Sequence, residues 1–264
     1  MTDAKDKSLA GRVALVTGAG NGIGRATALL LASRGAIVGV NDLKPEFVAD
    51  TVDAIKAAGG EAVAITQNVA SRDGMRTAVL GFAERQGRLD ILVNNAADTG
   101  RGDLEHIAVA RWDTIMAVNV RAPFILLQEA IAPMRARGGG SVINIGSVLA
   151  YVGEPKLGAY SVSKGALMTL TKNAASLLNR DRIRVNQINV GWTLTEGERR
   201  VKREQEGKGD EWIAEAIATR PFGRMLAPLD IARAAEYFAS SASECVTGSV
   251  LDLEQYPPGA LPNS

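Results

Sequence analysis

Apolar positions along the chain follow two alternating rhythms. Short β-branched runs at 12–17, 36–40, 61–66, 89–93, 141–145, 183–188 and 250–253 read as strands. Between them, 22–33, 46–58, 73–84, 111–137 and 158–178 carry apolar residues at helical spacing. Several strands are apolar nearly throughout, as happens when both faces of a sheet are covered, so the alternation predicts an α/β fold with a parallel sheet between two helical layers. Gly35, Gly59 and Gly87 each stand just past a predicted helix, where a left-handed residue ends it. No linker, repeat or composition shift divides residues 1–264, which predicts a single domain. One stretch breaks the rhythm: 196–208 is dense in mixed charge, and 212–220 follows with helical character. A solvated excursion and a mobile lid both fit its position.

Between the first strand and the first helix runs Thr17-Gly-Ala-Gly-Asn-Gly-Ile-Gly24. Glycines there allow a tight turn and bring backbone N–H groups at a helix N-terminus close to an anion. The loop is not a strict G-x-G-x-x-G, since the sixth position from Gly18 is Ile23, and no G-x-x-x-x-G-K-[ST] loop occurs. Asp42 ends the second strand, 20 residues beyond Gly22, where a carboxylate can accept hydrogen bonds from an adenosine ribose. An ordinary turn, and a capping aspartate ahead of Pro45, are the structural alternatives.

From about Leu9 to Leu253 the chain resembles the classical short-chain dehydrogenase/reductase family. The residues that carry the likeness are Thr17-Gly18-x-x-x-Gly22-x-Gly24, Asn94-Asn95-Ala96 after the fourth strand, Ser147, and Tyr160-x-x-x-Lys164, with Ser147 13 residues before Tyr160. Asn119 stands on the long central helix at that family's fourth catalytic position. The resemblance implies a Rossmann-type, doubly wound α/β fold with a seven-stranded, mostly parallel sheet, and a nicotinamide dinucleotide held by Gly18, Asn21, Gly22, Ile23, Gly24, Asp42, Leu43, Asn68, Val69, Asn95, Ala96, Tyr160, Lys164, Gly191, Thr193 and Thr195. It also implies a catalytic set of Asn119, Ser147, Tyr160 and Lys164.

The chemistry of these side chains agrees. Tyr160 and Lys164 are four apart on a predicted helix and so share a face. A free tyrosine has a pKa of about 10, and lowering it by about 3 units takes roughly 4 kcal/mol of preferential phenolate stabilisation. A neighbouring ammonium and an oxidised nicotinamide are expected to provide that in a water-poor cleft. Tyr160 is then the base for alcohol oxidation and the acid for ketone reduction, with Lys164 lowering its pKa and holding the nicotinamide ribose. Ser147, at the carboxyl end of the fifth strand, donates to the substrate oxygen. As the resemblance implies, Asn119 anchors a water that links Lys164 to solvent.

The expected cofactor is NAD. Relatives that prefer NADP carry a basic residue in the glycine loop or after the second strand, whereas Asn21 and Leu43 stand there and Asp42 repels a 2′-phosphate. The chain departs from the family pattern at Asn68, Ala97, Val190 and 253–256, none of them in the catalytic set. Leu149, Tyr151, Glu154 and Trp192 flank the predicted cleft and are the candidates for substrate shape. The segment 192–220 takes the place of the family's substrate lid. A sugar, polyol or other small secondary alcohol fits such a pocket. An NADPH-type 3-oxoacyl thioester reductase and a dinucleotide sensor without turnover are the competing functions; the sensor reading sits poorly with the retained Tyr160 and Lys164.

Composition narrows the rest. Thirty basic and 29 acidic residues give a net charge of +1, which carries no broad footprint for nucleic acid. One histidine, His106, and one cysteine, Cys245, leave no expectation of a zinc site or a disulfide framework. His106 is expected at the surface or cleft rim, and Cys245 as a small buried residue. The polar start predicts no secretory signal, and the apolar runs fall well short of the roughly 18 residues of a membrane span, so the cytoplasm is the expected compartment. The helices 111–137 and 158–178 carry more apolar and small residues than one sheet face needs. Similar proteins use them to form dimers or tetramers, which predicts a homotetramer or dimer.

Overall fold

The computed structural model describes residues 7–257. Seven strands form one sheet in the order β3-β2-β1-β4-β5-β6-β7. They are β1 (Val13–Thr17), β2 (Ile37–Asp42), β3 (Glu61–Thr66), β4 (Ile91–Asn94), β5 (Gly140–Ser147), β6 (Ile183–Val190) and β7 (Val250–Leu253). Every neighbouring pair is parallel, so the sheet is wholly rather than mostly so. The chain moves outward from β1 to β3, then returns to place β4 on the other side of β1. Strand order reverses there, and that reversal opens a crevice beyond the carboxyl ends of β1 and β4.

Alternation along the strands divides the core into two layers. Ala14 and Val16 of β1 pack with Leu31 of α1 (Gly22–Ser33), Val52 of α2 (Pro45–Ala57) and Phe238 of α10 (Pro228–Ala239). Val13 and Leu15, pointing the other way, pack with Met75 of α3 (Arg72–Arg76), Phe82 of α4 (Phe82–Gln86), Leu126 of α6 (Ala122–Ala136) and Leu178 of α7 (Gly158–Leu178). Gly35, Gly59 and Gly87 take φ of +92°, +79° and +69°, the left-handed endings their positions predict.

Two long helices contain a feature the periodicity does not show. The segment 72–86 is α3 and α4 joined by a π turn at Thr77–Gly81, and α5 (Val109–Met116) joins α6 through another at Ala117–Arg121. The combined helix Val109–Ala136 is long and apolar enough, at a hydropathy of 1.4, to cross a membrane by length and composition. Here Leu126, Ala130 and Met134 of that helix are buried in the second core layer. The charged stretch becomes two helices, α8 (Glu196–Glu206) and α9 (Glu211–Ala218). Cys245 is exposed, contrary to its expected burial, because it follows the short turn Ser241–Ser243 beyond the last core helix. His106 is exposed and hydrogen-bonds Asp103 at 2.8 Å, on the loop before α5.

Candidate active site

The glycine loop is locked to the end of β4. The Asn95 carboxamide donates to the carbonyls of Thr17 and Gly18, both at 3.0 Å. The Thr17 hydroxyl accepts from the N–H groups of Asn95 and Ala96 at 3.0 and 3.1 Å. Gly18 has φ +60°, and a Cβ there would lie 2.9 Å from Ala96 Cα, so neither the turn nor the approach admits a side chain. Thr17 is therefore the fastener of the loop. Sequence reading placed it in the motif without giving it a role; its position ending a strand opposite Asn95 was the available signal.

Asp42 closes the loop's outer edge. Its carboxylate accepts from Gly20 N–H at 3.0 Å and from Leu43 N–H at 2.8 Å. Leu43 is exposed, Asn21 caps α1 through its backbone alone, and Ile23 packs partly against the first core layer. A cavity of about 330 Å³ opens at this corner, bounded by Gly20, Asn21, Arg25, Phe47 and, from across the crevice, Glu196 and Arg200. Gly22, at φ +52°, faces Thr195 with 3.6 Å between a would-be Cβ and Cγ2. A dinucleotide fits these residues: the loop leaves room where side chains would fill it, α1 starts there, and Asp42 offers acceptors beside it. Val69 is buried and Asn68 exposed, its carboxamide turned to Ala70 N–H at 2.8 Å in its own loop.

The four catalytic candidates converge from three elements. Ser147 ends β5, buried, with its hydroxyl accepting from Leu149 N–H at 3.2 Å. Tyr160 and Lys164 occupy the first turns of α7, with the Lys164 ammonium 5.5 Å from the Tyr160 ring centre. Lys164 is buried and donates to the Ile145 carbonyl at 2.8 Å. Asn119 sits in the π turn, a local widening of the helix of the kind often found at functional sites. Its carboxamide donates to Asp98 O at 2.9 Å and Ser163 Oγ at 3.0 Å, and accepts from Asp98 N–H at 2.8 Å. Both donors are thus engaged and one acceptor lone pair remains, so the side chain ties the loop after β4 to α7.

In the protein alone, without a dinucleotide, the phenol's pKa is raised. Burial pushes Tyr160 up to about 12; the Ser147 hydrogen bond opposes this, and the Glu198 carboxylate adds to it. Burial also brings Lys164 down to about 8. The ammonium stands beside the ring and donates to the Ile145 carbonyl.

On the outer side, Trp192 stacks on Trp212 of α9, ring centres 5.7 Å apart, and donates from Nε1 to Glu198 at 3.1 Å. Lys202 lies over both rings, at 5.3 and 5.7 Å. Thr193 is buried and bonded to Gly191 O at 3.1 Å, while Thr195 Oγ1 caps α8 through Glu198 N–H at 3.1 Å. Gly191 packs against Glu254, in the 253–256 stretch that departs from the family pattern. The Tyr151 hydroxyl is turned to Asp252 at 3.3 Å, and Glu154 is exposed on a loop where it accepts from Lys156 N–H at 3.4 Å. Of the four substrate candidates, Leu149 is held to Ser147 and Trp192 to the α8–α9 segment, while the side-chain contacts of Tyr151 and Glu154 lie with Asp252 and their own loop.

A family model described as enoyl-(acyl carrier protein) reductase matches residues 18–254. The chain belongs to the short-chain dehydrogenase/reductase family. An uncharacterized oxidoreductase of Thermotoga maritima is 38% identical over 245 residues, covering 92% of this chain and 96% of its own. A 7α-hydroxysteroid dehydrogenase, solved with NADH and 7-oxo glycochenodeoxycholic acid, superposes with a TM-score of 0.88 at 30% identity over 100% of this chain and 99% of its own. A Beutenbergia cavernae protein described as an NAD(P)-dependent gluconate 5-dehydrogenase, solved with NADP, gives 0.86 at 34% identity, covering 95% and 98%. The chain is thus an oxidoreductase with the family's nicotinamide-dinucleotide fold.

Proposed function

We propose that this oxidoreductase transfers a hydride between NAD and a secondary alcohol or ketone of the sugar or polyol class. The observation that carries the reading is the convergence of Ser147, Tyr160 and Lys164 beside a glycine loop fastened by Thr17 and Asn95. A bound nicotinamide supplies the hydride acceptor or donor. Ser147 donates to the substrate oxygen, and Tyr160 gives or takes its proton. Because burial raises the phenol's pKa, Tyr160 is protonated near neutrality and ready to act as acid in ketone reduction. Oxidation needs the phenolate, and an oxidised nicotinamide would add its positive charge to that of the Lys164 ammonium beside the ring. Lys164 holds the nicotinamide ribose, and Asn119 fixes α7 against the loop after β4.

Asp42 supports NAD over NADP, since a 2′-phosphate beside its carboxylate would meet like charge. Initial rates with the two cofactors test this, and a clear NADP preference overturns it. The NADP in the Beutenbergia relative and the acyl-carrier description of the family model favour one second reading, an NADPH-dependent 3-oxoacyl thioester reductase; reduction of an acetoacetyl thioester faster than of any polyol ketone would establish it. We further read the chain as one cytoplasmic domain whose segment 192–220 acts as a lid. We also read self-association to a homotetramer or dimer, supported by exposed Phe124, Val162 and Leu177 on α6 and α7. A monomer in light scattering contradicts the last point.

A further inference from the structure

A cavity of about 700 Å³ opens at the amino end of the sheet, on the side away from the catalytic crevice. Arg12, Asp90, Gly140 and Ile183 line it at the starts of parallel strands, whereas Ser147 stands at the far end of β5. Four arginines, Arg12, Arg137, Arg182 and Arg184, face two carboxylates there, Asp90 and Glu244. Asp90 is already satisfied: it is buried and accepts from Arg88 at 2.6 and 2.7 Å, Arg12 at 3.2 Å and Val13 N–H at 2.9 Å. Glu244 is exposed, and among the described residues Arg137, Arg182 and Arg184 stand in no ion pair. A chain of net charge +1 thus gathers an excess of positive groups around one cavity.

These groups are held in place. The half-buried Arg184 guanidinium donates only to neutral acceptors, Ser243 Oγ at 2.8 Å and the carbonyls of Phe238 and Ser240 at 2.8 and 3.3 Å. Burial lowers its pKa and Arg12 adds to this, while Tyr237 and Glu244 oppose it. Arg182 has φ +56°, the one positive φ outside glycine among the described residues, where turn chemistry favours glycine or asparagine. Its backbone is braced by Gly140 N–H on its carbonyl at 3.2 Å and by its own N–H on Asn179 O at 3.0 Å. The Arg135–Asp181 pair at 2.7 Å ties the end of α6, and so the loop bearing Arg137, to the turn bearing Arg182.

Positive groups that the protein leaves unneutralised, on backbone fixed in advance, make a receptor for an anion. We propose that this cavity is a second binding site, remote from the reaction, for a phosphate-bearing small molecule. A terminal phosphate gathers three acceptor oxygens on one centre and so serves several guanidinium forks together. The volume exceeds that of a phosphate ion and fits a phosphate ester of nucleotide size. The inference does not depend on which alcohol or which cofactor the crevice takes.

Cys245 lines the same cavity, is exposed and is the chain's one cysteine, so its alkylation by iodoacetamide reports on this place alone. Inorganic pyrophosphate is the probe, set against sodium chloride at equal ionic strength and against citrate. In the wild type, pyrophosphate is expected to slow alkylation severalfold and saturably, while chloride leaves the rate nearly unchanged. Arg182→Gly suits the left-handed backbone and keeps the fold. It should raise the pyrophosphate concentration for half-protection by about tenfold, the usual weight of a hydrogen bond to a charged group. Arg137→Gln, at an exposed position, should move it in the same direction, and both variants should keep the wild-type Tm. A wild type whose Cys245 pyrophosphate does not protect overturns the inference, as does protection undiminished in both variants. Citrate protecting as well as pyrophosphate overturns the assignment to phosphate.

Discussion

The floor of the crevice and the α8–α9 segment facing it are held by different physics. The floor is built on sheet and core: Ser147 ends a buried strand, Lys164 reaches a strand carbonyl, and Asn95 and Thr17 fasten the glycine loop. The facing segment has a core of only three buried residues, Trp212, Ala216 and Met225, with Trp192 among those packed against it. Its further ties include the hydrogen bond from the Tyr256 hydroxyl to the Thr219 carbonyl, the Lys202 ammonium over the indoles, and partly exposed ion pairs, among them Lys202–Glu206, Arg199–Asp210 and Arg101–Glu206. Pairs of this kind contribute roughly 0–1 kcal/mol each, against several kcal/mol for a buried aromatic. The floor is preorganised, and the lid proposed for 192–220 would open over it without unfolding the domain.

The largest expected effect lies in the floor. Tyr160→Phe should lower kcat by about 10²–10⁴, the range for losing a general acid–base group, while dinucleotide affinity measured by fluorescence titration stays within about twofold. Lys164→Ala should damage both. The wild-type pH profiles follow from the raised phenol: ketone reduction should hold through neutrality and fall at high pH as the proton is lost, while alcohol oxidation should climb with pH. A reduction rate that rises with pH would remove Tyr160 as the acid.

Next comes a pair of truncations that sets the two regions side by side. Phe82, fully buried in the second core layer, should cost about 3–5 kcal/mol as alanine and lower Tm for the whole domain. Trp212→Ala removes a comparable side chain from the small cluster. Its expected result is faster proteolytic cleavage within 196–218 and a raised KM, with a smaller fall in Tm. Equal falls in Tm would show that the segment unfolds together with the sheet.

A smaller effect tests the cofactor side of the floor. Asp42→Ala should narrow the preference for NAD over NADP by about tenfold, since it removes the repulsion and a ribose acceptor together. An unaltered ratio would leave Asp42 as a brace for Gly20 and nothing more.

Legibility from sequence divides along the same line as the physics. The floor could be read because its parts are fixed by short spacings: glycines at a strand–helix junction, a tyrosine and lysine one helical turn apart, a serine at a strand end. What spacing does not carry is how partners far apart in the chain engage one another. Thr17 and Asn95, Asn119 with Asp98 and Ser163, and the amide relay from Asn94 through Asn144 to Thr171 are side-chain choices made in three dimensions. The π turn at Asn119 leaves the apolar period nearly intact, so periodicity passes over it. The phenol's rise in the protein alone comes from burial, and spacing, which places Lys164 near Tyr160, does not reveal how far either is buried. In the facing segment, charge density marks the stretch, but spacing does not carry the meeting of Trp192 and Arg101 on one oxygen of Glu198.

The smallest effect separates charge from packing in the facing segment. Lys202 contributes an ammonium to Glu206 and a cation over two indoles, while its stem covers apolar surface. Lys202→Met keeps the stem and removes the charge, so the loss should stay under about 1 kcal/mol. Salt provides the discriminating axis. Raising ionic strength should speed proteolysis within 196–218 in the wild type, because exposed pairs are screened over about a Debye length, while the Tm of the domain moves little. In Lys202→Met the basal cleavage rate should start higher and respond less to salt, since one screened attraction is already gone. If the variant keeps the full salt response, the screened attraction lies in the other pairs, Arg199–Asp210 and Arg101–Glu206, and not in Lys202; a wild type without any salt response would leave the Trp192–Trp212 stack as what holds the segment.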